Sequence, residues 1–137
     1  MARLKSRKRL PGHCMVVEDD GLLASVIEAT LIDAGASSVT VCTTAAQAMA
    51  KLRNHRPDVL VLDVHLADSD DGWGLAELVA SVGPNSPKII FSTGSPEDIP
   101  PNIAKLGDVL VKPYAPEDLA ALAIRPPQRG LMDILRR

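Results

Sequence analysis

The feature of this sequence that most restricts its fold is a set of five short runs rich in Val and Ile. The runs occupy residues 14–17, 39–42, 59–62, 88–91 and 109–111. Most of them do not alternate between polar and apolar residues, which is typical of strands buried on both faces of a parallel sheet. Segments with helical spacing separate the runs. The pattern therefore predicts an α/β domain with a doubly wound, five-stranded parallel sheet.

The first two intervals predict amphipathic helices. The first helix should end at 34–35, an Ala-Gly pair that suits a C-cap. Its inward stripe is predicted to contain Leu22, Leu23, Val26, Ile27, Thr30 and Leu31. Thr44 is a candidate N-cap for a second helix that runs to Asn54. The inward face of that helix is predicted to contain Ala45, Ala48, Met49 and Leu52.

The later intervals are less uniform. The third helix is predicted to bury Leu75, Leu78, Val79 and Val82 and to stop at Gly83-Pro84. Pro116 suits the first turn of the last helix, which is predicted to bury Leu119, Leu122 and Ala123. In the fourth interval, residues 95–107, two consecutive prolines at 100–101 forbid a continuous helix. We therefore expect a weakened fourth helix, at most from Pro101 to Leu106.

The charges of the chain are segregated, which its net charge of −2 conceals. Residues 1–12 carry five cations and no acid, and residues 125–137 carry four cations and one acid. Residues 13–124 carry six cations against sixteen acids, a balance of −10. We therefore predict an acidic domain at 13–124, a basic N-terminal tail at 1–12 and a C-terminal tail at 125–137. The N-terminal tail can contact nucleic acid or an acidic partner, but we expect it to be solvated. The C-terminal tail, which is apolar on one side and basic at its end, can dock on a partner or on its own domain, or fray.

Several classes of protein are disfavoured. No apolar run approaches the ~18 residues of a membrane span, and no signal-peptide core follows the basic start, so we expect a cytoplasmic protein with no membrane partner. Cys14 and Cys42 are then expected to be buried free thiols. The chain has only one Trp, one Tyr and one Phe, which is too few aromatic side chains for a surface that stacks RNA bases. The chain leaves no room for a separate DNA-binding domain, so we do not expect direct DNA binding.

Polar residues follow four of the five predicted strands. The first strand runs into residues 18–20 (Glu-Asp-Asp), the third into Asp63, the fourth into Thr93 and the fifth into Lys112. Ligand sites of open parallel sheets lie at the carboxyl ends of the strands. Each residue alone also has an ordinary interpretation as a helix cap or turn residue. Four such residues at one edge instead predict a functional site.

This set of side chains suits phosphoryl transfer to an aspartate. Glu18, Asp19 and Asp63 together carry −3, and Lys112 returns only +1. Closely held carboxylates repel one another unless a cation intervenes, and oxygen ligands suit Mg²⁺. Asp63 is then a candidate covalent nucleophile, while Thr93 and Lys112 can bind phosphoryl oxygens.

The same residues resemble the receiver domain of two-component response regulators, over roughly 12–124. The resemblance is carried by 17–20 (Val-Glu-Asp-Asp), 62–64 (Leu-Asp-Val), 92–94 (Ser-Thr-Gly) and 111–114 (Val-Lys-Pro-Tyr). It implies a flavodoxin-like or CheY-like (βα)5 fold with strand order 2-1-3-4-5 and a cis proline after the lysine.

The resemblance also assigns roles to the site residues. It implies that Asp63 accepts phosphate from a histidine kinase, with Thr93 and Lys112 as the conserved hydroxyl and lysine. It implies a Mg²⁺ cofactor bound by Asp19, Asp63 and the backbone carbonyl of His65, with Glu18 acting through water. Asp20 matches no metal position and is either an outer acid or a helix cap. The His65 side chain is expected to face solvent, and residues 68–71 are expected to be a solvated acidic turn rather than a Ca²⁺ loop.

Three departures from the family pattern bear on output. Val109 occupies the position of the usual switch aromatic, the proline after the phosphorylation site is missing, and the fourth helix is short. With Phe91-Ser92-Thr93-Gly94, these departures resemble atypical alphaproteobacterial receivers with a Phe-Ala-Thr-Gly-type motif, which are paired with kinases of the HWE or a related type. We hypothesise that residues 94–107 pass from disorder to order on phosphorylation.

The sequence therefore predicts a stand-alone receiver that signals by phosphorylation-dependent binding to an unidentified downstream protein. It can also serve as a phosphate sink or relay with a histidine phosphotransferase. Apart from its own phosphorylation and dephosphorylation, we expect no enzymatic activity. Two alternatives remain: a phosphorylation-independent adaptor with the same fold, and a small Mg²⁺-dependent phosphatase with an aspartyl nucleophile. A phosphatase of that kind commonly needs a carboxylate two residues after the nucleophile, where this chain has His65.

Overall fold

A computed structural model describes residues 10–66, 72–81 and 86–125. The predictions for residues 1–9, 68–71, 82–84 and 126–137 lie outside the described residues. The strands are β1 (His13–Val17), β2 (Ser38–Cys42), β3 (Val59–Asp63), β4 (Lys88–Thr93) and β5 (Asp108–Val111). The helices are α1 (Gly21–Asp33), α2 (Ala45–Leu52), α3 (Gly72–Ala80), α4 (Pro101–Ala104) and α5 (Pro116–Ile124). A short 3₁₀ helix covers Pro96–Asp98.

All five strands are parallel and form one sheet in the order β2-β1-β3-β4-β5. This confirms the predicted doubly wound fold. Burial on both faces holds for the central strands β1, β3 and β4, apart from His13 at the start of β1. The edge strands β2 and β5 are only partly buried, because each has a neighbour on one side alone.

Helices cover both faces of the sheet. On β1, Met15 and Val17 belong to the apolar cluster that includes α2, α3 and α4. The alternate residues Cys14 and Val16 belong to the cluster that includes α1 and α5. Cys14 and Cys42 are both buried free thiols, as predicted. Within the described residues, no helix has the length and apolar character needed to cross a lipid bilayer.

The predicted stripe of α1 is partly wrong. Leu22 is 79% exposed and Val26 is 45% exposed, whereas Ala24, Ile27 and Leu31 are buried. The buried row contains the small Ala24, and its Ile27 and Leu31 belong to the apolar cluster on this face of the sheet. A stripe chosen by the largest apolar side chains misses such a row.

The same error affects the two following helices. Met49 is 42% exposed and Leu78 is 46% exposed, although both were predicted to face inward. The Thr44 hydroxyl does cap α2 by accepting a hydrogen bond from the Gln47 N–H. The helix ends at Leu52, two residues before the predicted end.

The segment between β4 and β5 is as short as its prolines require. It contains the 3₁₀ helix and a four-residue α4 that begins at Pro101. Ile99 and Ile103 are buried against the sheet, so the segment follows a defined path. Because α4 is short, Val109 and Val111 of β5 stay exposed. The hypothesis that residues 94–107 become ordered on phosphorylation stays a prediction.

The turn from α4 into β5 depends on Gly107. A Cβ at this position would overlap the backbone carbonyl oxygen of Ile89, which cannot move without disturbing β4. We therefore expect Gly107→Ala to lower the free energy of unfolding by about 2 kcal/mol or more, measured by urea denaturation. Gly21→Ala is the control, because a Cβ there meets no atom within 4 Å. Equal stability of the two variants would contradict this account.

A buried lysine fixes the end of α5. Lys88 is 6% exposed and donates hydrogen bonds to the carbonyl oxygens of Leu122 and, at 2.8 Å, Arg125. Its ammonium also lies 3.7 Å from the Asp108 carboxylate. A cation at the carboxyl end of a helix satisfies carbonyls that have no partner in the helix and interacts favourably with the helix dipole. The sequence analysis gave Lys88 no role.

Candidate functional site

The carboxyl ends of the strands bring the predicted polar residues to one edge. Asp63 is the last residue of β3 and is opposite Ser92 in the register with β4. Thr93 ends β4 opposite Val111, so that Lys112 follows directly. The Lys112 N–H donates to the Thr93 carbonyl oxygen at 2.8 Å. Parallel register alone thus places the nucleophile candidate, the hydroxyl and the lysine on neighbouring strands.

Three carboxylates lie together at this edge. Glu18, Asp19 and Asp63 each offer an oxygen, and these oxygens are all within 4.8 Å of one another. Glu18 and Asp63 are buried, whereas Asp19 is exposed. Hard oxygen donors with one side open to water fit Mg²⁺, which retains several water ligands in proteins. We name these three residues the acidic cluster.

Asp20 is outside the acidic cluster and caps α1. Its Oδ1 accepts hydrogen bonds from the N–H groups of Leu22 at 3.0 Å and Leu23 at 3.1 Å. These bonds satisfy two of the helix donors that have no partner in the first turn. Of the two predicted roles for Asp20, the geometry favours the helix cap.

Lys112 is the cation of the site. Its ammonium lies 3.0 Å from Glu18 Oε1 and 3.6 Å from Asp63 Oδ2. Burial by itself lowers the pKa of Lys112, but the hydrogen bond to Glu18 and the charge of Asp63 outweigh it and raise the pKa above its ordinary value. The peptide between Lys112 and Pro113 is cis, as the resemblance implied.

Glu18 holds its proton more tightly than an ordinary glutamate. The pKa of Glu18 is raised to about 7, mainly by burial and in part by contact with Asp63. Hydrogen bonds from Lys112 and from the Asp20 N–H, at 3.2 Å, oppose the rise. The positive charge of Lys112 therefore does not neutralise the negative charge of the acidic cluster. A divalent cation bound there would reduce the remaining repulsion between the carboxylates.

The raised pKa of Glu18 predicts a specific pH dependence of stability. The ordinary value is 4.5, so between about 4.5 and about 7 the folded state binds more protons than the unfolded state. Stability then falls as pH rises through this window, by up to about 3 kcal/mol, and is constant above it. Urea denaturation without divalent cations should show this loss in the wild type and not in Glu18→Gln. Glu77→Gln, which changes an exposed acid, should keep the wild-type slope.

Thr93 and Tyr114 order the chain around the lysine. Thr93 is buried, and its Oγ1 accepts a hydrogen bond from the Ser95 N–H at 2.9 Å. A hydroxyl that accepts in this way still has a proton to donate to another oxygen. Ser92 Oγ lies 3.0 Å from the Tyr114 hydroxyl, a contact that the sequence analysis missed. It could have been suspected because Tyr114 directly follows the Lys-Pro pair.

His65 contributes its backbone and not its ring. Its N–H donates to Asp63 Oδ1 at 3.0 Å and so orients the carboxylate. Its imidazole is exposed, and Nε2 lies 3.3 Å from Asp98 Oδ2. The prediction of a solvent-facing side chain is confirmed. The role of its backbone carbonyl as a metal ligand stays a prediction.

Comparison with known proteins agrees with this fold. The sequence profile of the response regulator receiver domain matches residues 14–124. The chain belongs to this family. Receiver domains are two-component signalling proteins that histidine kinases or phosphotransferases phosphorylate on an aspartate, and they bind Mg²⁺ at an acidic pocket.

Solved structures share the architecture. The chemotaxis response regulator CheY4 of Vibrio cholerae is 28% identical, with a TM-score of 0.68 over 80% of this chain and 93% of that one. A CheY-like receiver domain from Methylobacillus flagellatus is 20% identical, with a TM-score of 0.70 over 79% and 92%. A two-component response regulator from Clostridium difficile is 22% identical, with a TM-score of 0.66 over 92% and 97%. The comparison with curated proteins yields no match.

Proposed function

We propose that this protein is a stand-alone receiver in which Asp63 accepts a phosphoryl group from a histidine kinase or a histidine phosphotransferase. The observation that supports the proposal most directly is the position of Asp63. Its carboxylate is 5% exposed, and one oxygen faces the Lys112 ammonium while the other accepts from the His65 N–H. A carboxylate held in this way is oriented for attack at the carboxyl edge of the sheet.

The proposed transfer is an in-line displacement. An oxygen of Asp63 attacks phosphorus as the phosphorus–nitrogen bond of the donor phosphohistidine breaks, and the departing imidazole takes up a proton. Lys112 pairs with one phosphoryl oxygen and Thr93 donates its hydroxyl proton to another. Asp19, Asp63 and the His65 carbonyl would hold a Mg²⁺, with Glu18 acting through a water molecule, and the bound ion would neutralise charge on the phosphoryl oxygens.

For the output we propose phosphorylation-dependent binding to a downstream protein, or service as a phosphate sink or relay. The exposed Val109 and the short α4 support a receiver that does not use an aromatic switch. Together with Phe91-Ser92-Thr93-Gly94, they support the atypical alphaproteobacterial type and a kinase of the HWE or a related type as the partner. We also propose a cytoplasmic protein, because a reducing compartment keeps Cys14 and Cys42 as thiols.

Phosphoryl incorporation tests the proposal directly. The protein is incubated with acetyl phosphate and Mg²⁺, and its intact mass is followed with and without a chelator. We expect one Mg²⁺-dependent phosphoryl group that hydroxylamine removes, as it removes acyl phosphates, and that peptide mapping assigns to Asp63. A phosphotransfer profile against the kinases of the source organism then identifies the donor. A label that maps to another residue would contradict the assignment.

One observation favours an adaptor that works without phosphorylation, namely Val109 in place of the switch aromatic. Trp73 offers a simple discriminator, because it is the only Trp of the chain and its partly buried side chain packs against the apolar cluster beneath the site. A receiver that uses Mg²⁺ should change the fluorescence of Trp73 when Mg²⁺ is titrated.

The phosphatase alternative is weaker, because the His65 ring pairs with Asp98 at the position that needs a carboxylate.

A further inference from the structure

Exposed cations concentrate at the amino ends of the strands, opposite the acidic cluster. Lys51, Arg53 and Arg56 are exposed and belong to a single segment at the end of α2 and in the loop that follows it. Within the described residues, Arg53 and Arg56 form no ion pair with an acid. In a domain whose balance is strongly acidic, such a local excess of positive charge marks a surface suited to a negatively charged partner.

An apolar cavity of about 320 Å³ lies beside these cations. The polar part of its wall consists of Arg53, His55, Arg56 and Ser81, and its apolar lining consists of Met49, Leu52, Pro57, Leu78, Val79 and Pro87. We name this cavity and its two arginines the α2–α3 groove. Met49 and Leu78 are the two large side chains of α2 and α3 that were expected to be buried and are instead 42% and 46% exposed. Met is a flexible side chain that adapts to partners of different shape.

We propose that the α2–α3 groove binds an acidic segment of a partner protein. One bulky apolar side chain of that segment lies between Met49 and Leu78, and its carboxylates pair with Arg53 and Arg56. The positive charge of Arg53 and Arg56 is the reason for choosing an acidic partner. Residues 1–9 and 126–137 are both basic in sequence, so their charge makes them poorer occupants of this basic groove than an acidic segment. His55 is the single ring in the described lining, which is otherwise mostly aliphatic, whereas sites for single-stranded nucleic acid stack successive bases on several aromatic side chains, so nucleic acid is disfavoured.

The position of the groove sets its role. It is formed where β3 and β4 begin, whereas the acidic cluster and Lys112 lie where the strands end. A partner bound there leaves Asp63 accessible. The groove therefore serves as a docking surface that does not depend on phosphorylation and that raises the effective concentration of the partner near the site. This role goes beyond the proposed phosphoacceptor function and does not require it.

Matched synthetic peptides test the proposal by NMR. Two peptides share a central Leu-Phe pair, which is flanked by glutamates in the first and by lysines in the second. A third peptide keeps the glutamates but replaces Leu-Phe with Ser-Ser. We expect only the first to shift the amide signals of residues 49–57 and 78–81 of the full chain. Binding should weaken at high salt, because the groove and the peptide attract each other electrostatically. Shifts that are equal for the three peptides, or confined to the rim of the acidic cluster, would overturn the proposal.

Variants separate the two parts of the groove. Arg53→Glu with Arg56→Glu should weaken binding of the acidic peptide by about tenfold or more. Leu78→Ser should weaken it while the fold stays intact, because this side chain is already half exposed. Lys105→Glu makes the charge reversal of one of these arginine substitutions at an exposed residue outside the groove and should have no effect. Asp63→Asn should bind the peptide as the wild type does, so that failure of the docking surface and failure of the phosphoacceptor are distinguishable.

If deletion of residues 126–137 alone opens the groove to the peptide, the occupant is the chain's own tail and the proposal fails.

Discussion

An Asp63→Asn variant is expected to take up no phosphoryl group, from acetyl phosphate or from a kinase. The substitution keeps the shape of the side chain and its hydrogen bond from the His65 N–H at 3.0 Å. It removes the anionic oxygen that attacks phosphorus, so incorporation should fall by at least about 100-fold. The measurement is the fraction of phosphorylated protein in the intact mass spectrum after incubation with Mg²⁺ and the donor.

A control variant and a stability measurement make this result specific to Asp63. Asp33→Asn makes the same chemical change at an exposed carboxylate on the last residue of α1 and should label like the wild type. The free energy of unfolding of Asp63→Asn should stay equal or rise, because contact with Asp63 is one cause of the raised pKa of Glu18. Undiminished labelling of a folded Asp63→Asn protein would place the phosphoacceptor elsewhere.

Lys112→Ala is expected to destabilise the site in a way that depends on pH and on metal. The ammonium lies between two carboxylates, at 3.0 Å from Glu18 and 3.6 Å from Asp63, both nearly buried. Its loss at pH 8 should lower the free energy of unfolding by about 2–3 kcal/mol in the absence of divalent cations. At pH 5.5 the loss should be smaller, because Glu18, with a pKa of about 7, is then mostly neutral. Urea denaturation at the two pH values, with and without Mg²⁺, measures the effect.

The same variant tests the signalling role of the lysine. Labelling of Asp63 should persist, whereas any response of a downstream partner to phosphorylation should be lost, because the ammonium that pairs with the phosphoryl group is missing. Lys105→Ala is the matched control, since that lysine is exposed and forms no ion pair with a described residue. A loss of stability that is equal at both pH values would show that Lys112 contributes by packing and not by charge.

The architecture and the grouping of the site were predictable from the sequence because both follow from the periodicity of strands. Five short apolar runs specify the sheet, and each run is followed directly by the residue that the strand delivers to the carboxyl edge. Asp63, Thr93 and Lys112 needed no knowledge of packing, because parallel register alone brings strand ends together. The short α4 followed from the rigid φ of proline and its lack of an N–H.

The misjudged features depend on packing between elements. Leu22 and Met49 were expected to face inward because they are large and apolar, yet the buried positions of the two helices include the small Ala24 and Ala48. Lys88 was missed for a related reason. A lysine at the start of a strand is ordinarily solvated, and only the return of α5 to that point gives its ammonium two carbonyl oxygens and a carboxylate as partners. The orientation of a helix and its distance from the sheet are tertiary properties that no local pattern contains.

The contacts of Lys88 also bear on where a label or an immobilisation tag can be attached to the protein. They hold Arg125, where the described chain leaves α5, next to the start of β4, and the chain enters through Gly12 next to the start of β1. Both points of attachment are therefore at the amino edge of the sheet. A fluorophore or an immobilisation tag attached at either point starts at the edge opposite the carboxylates. It lies on the side of the α2–α3 groove, so peptide-binding measurements on that groove call for untagged protein.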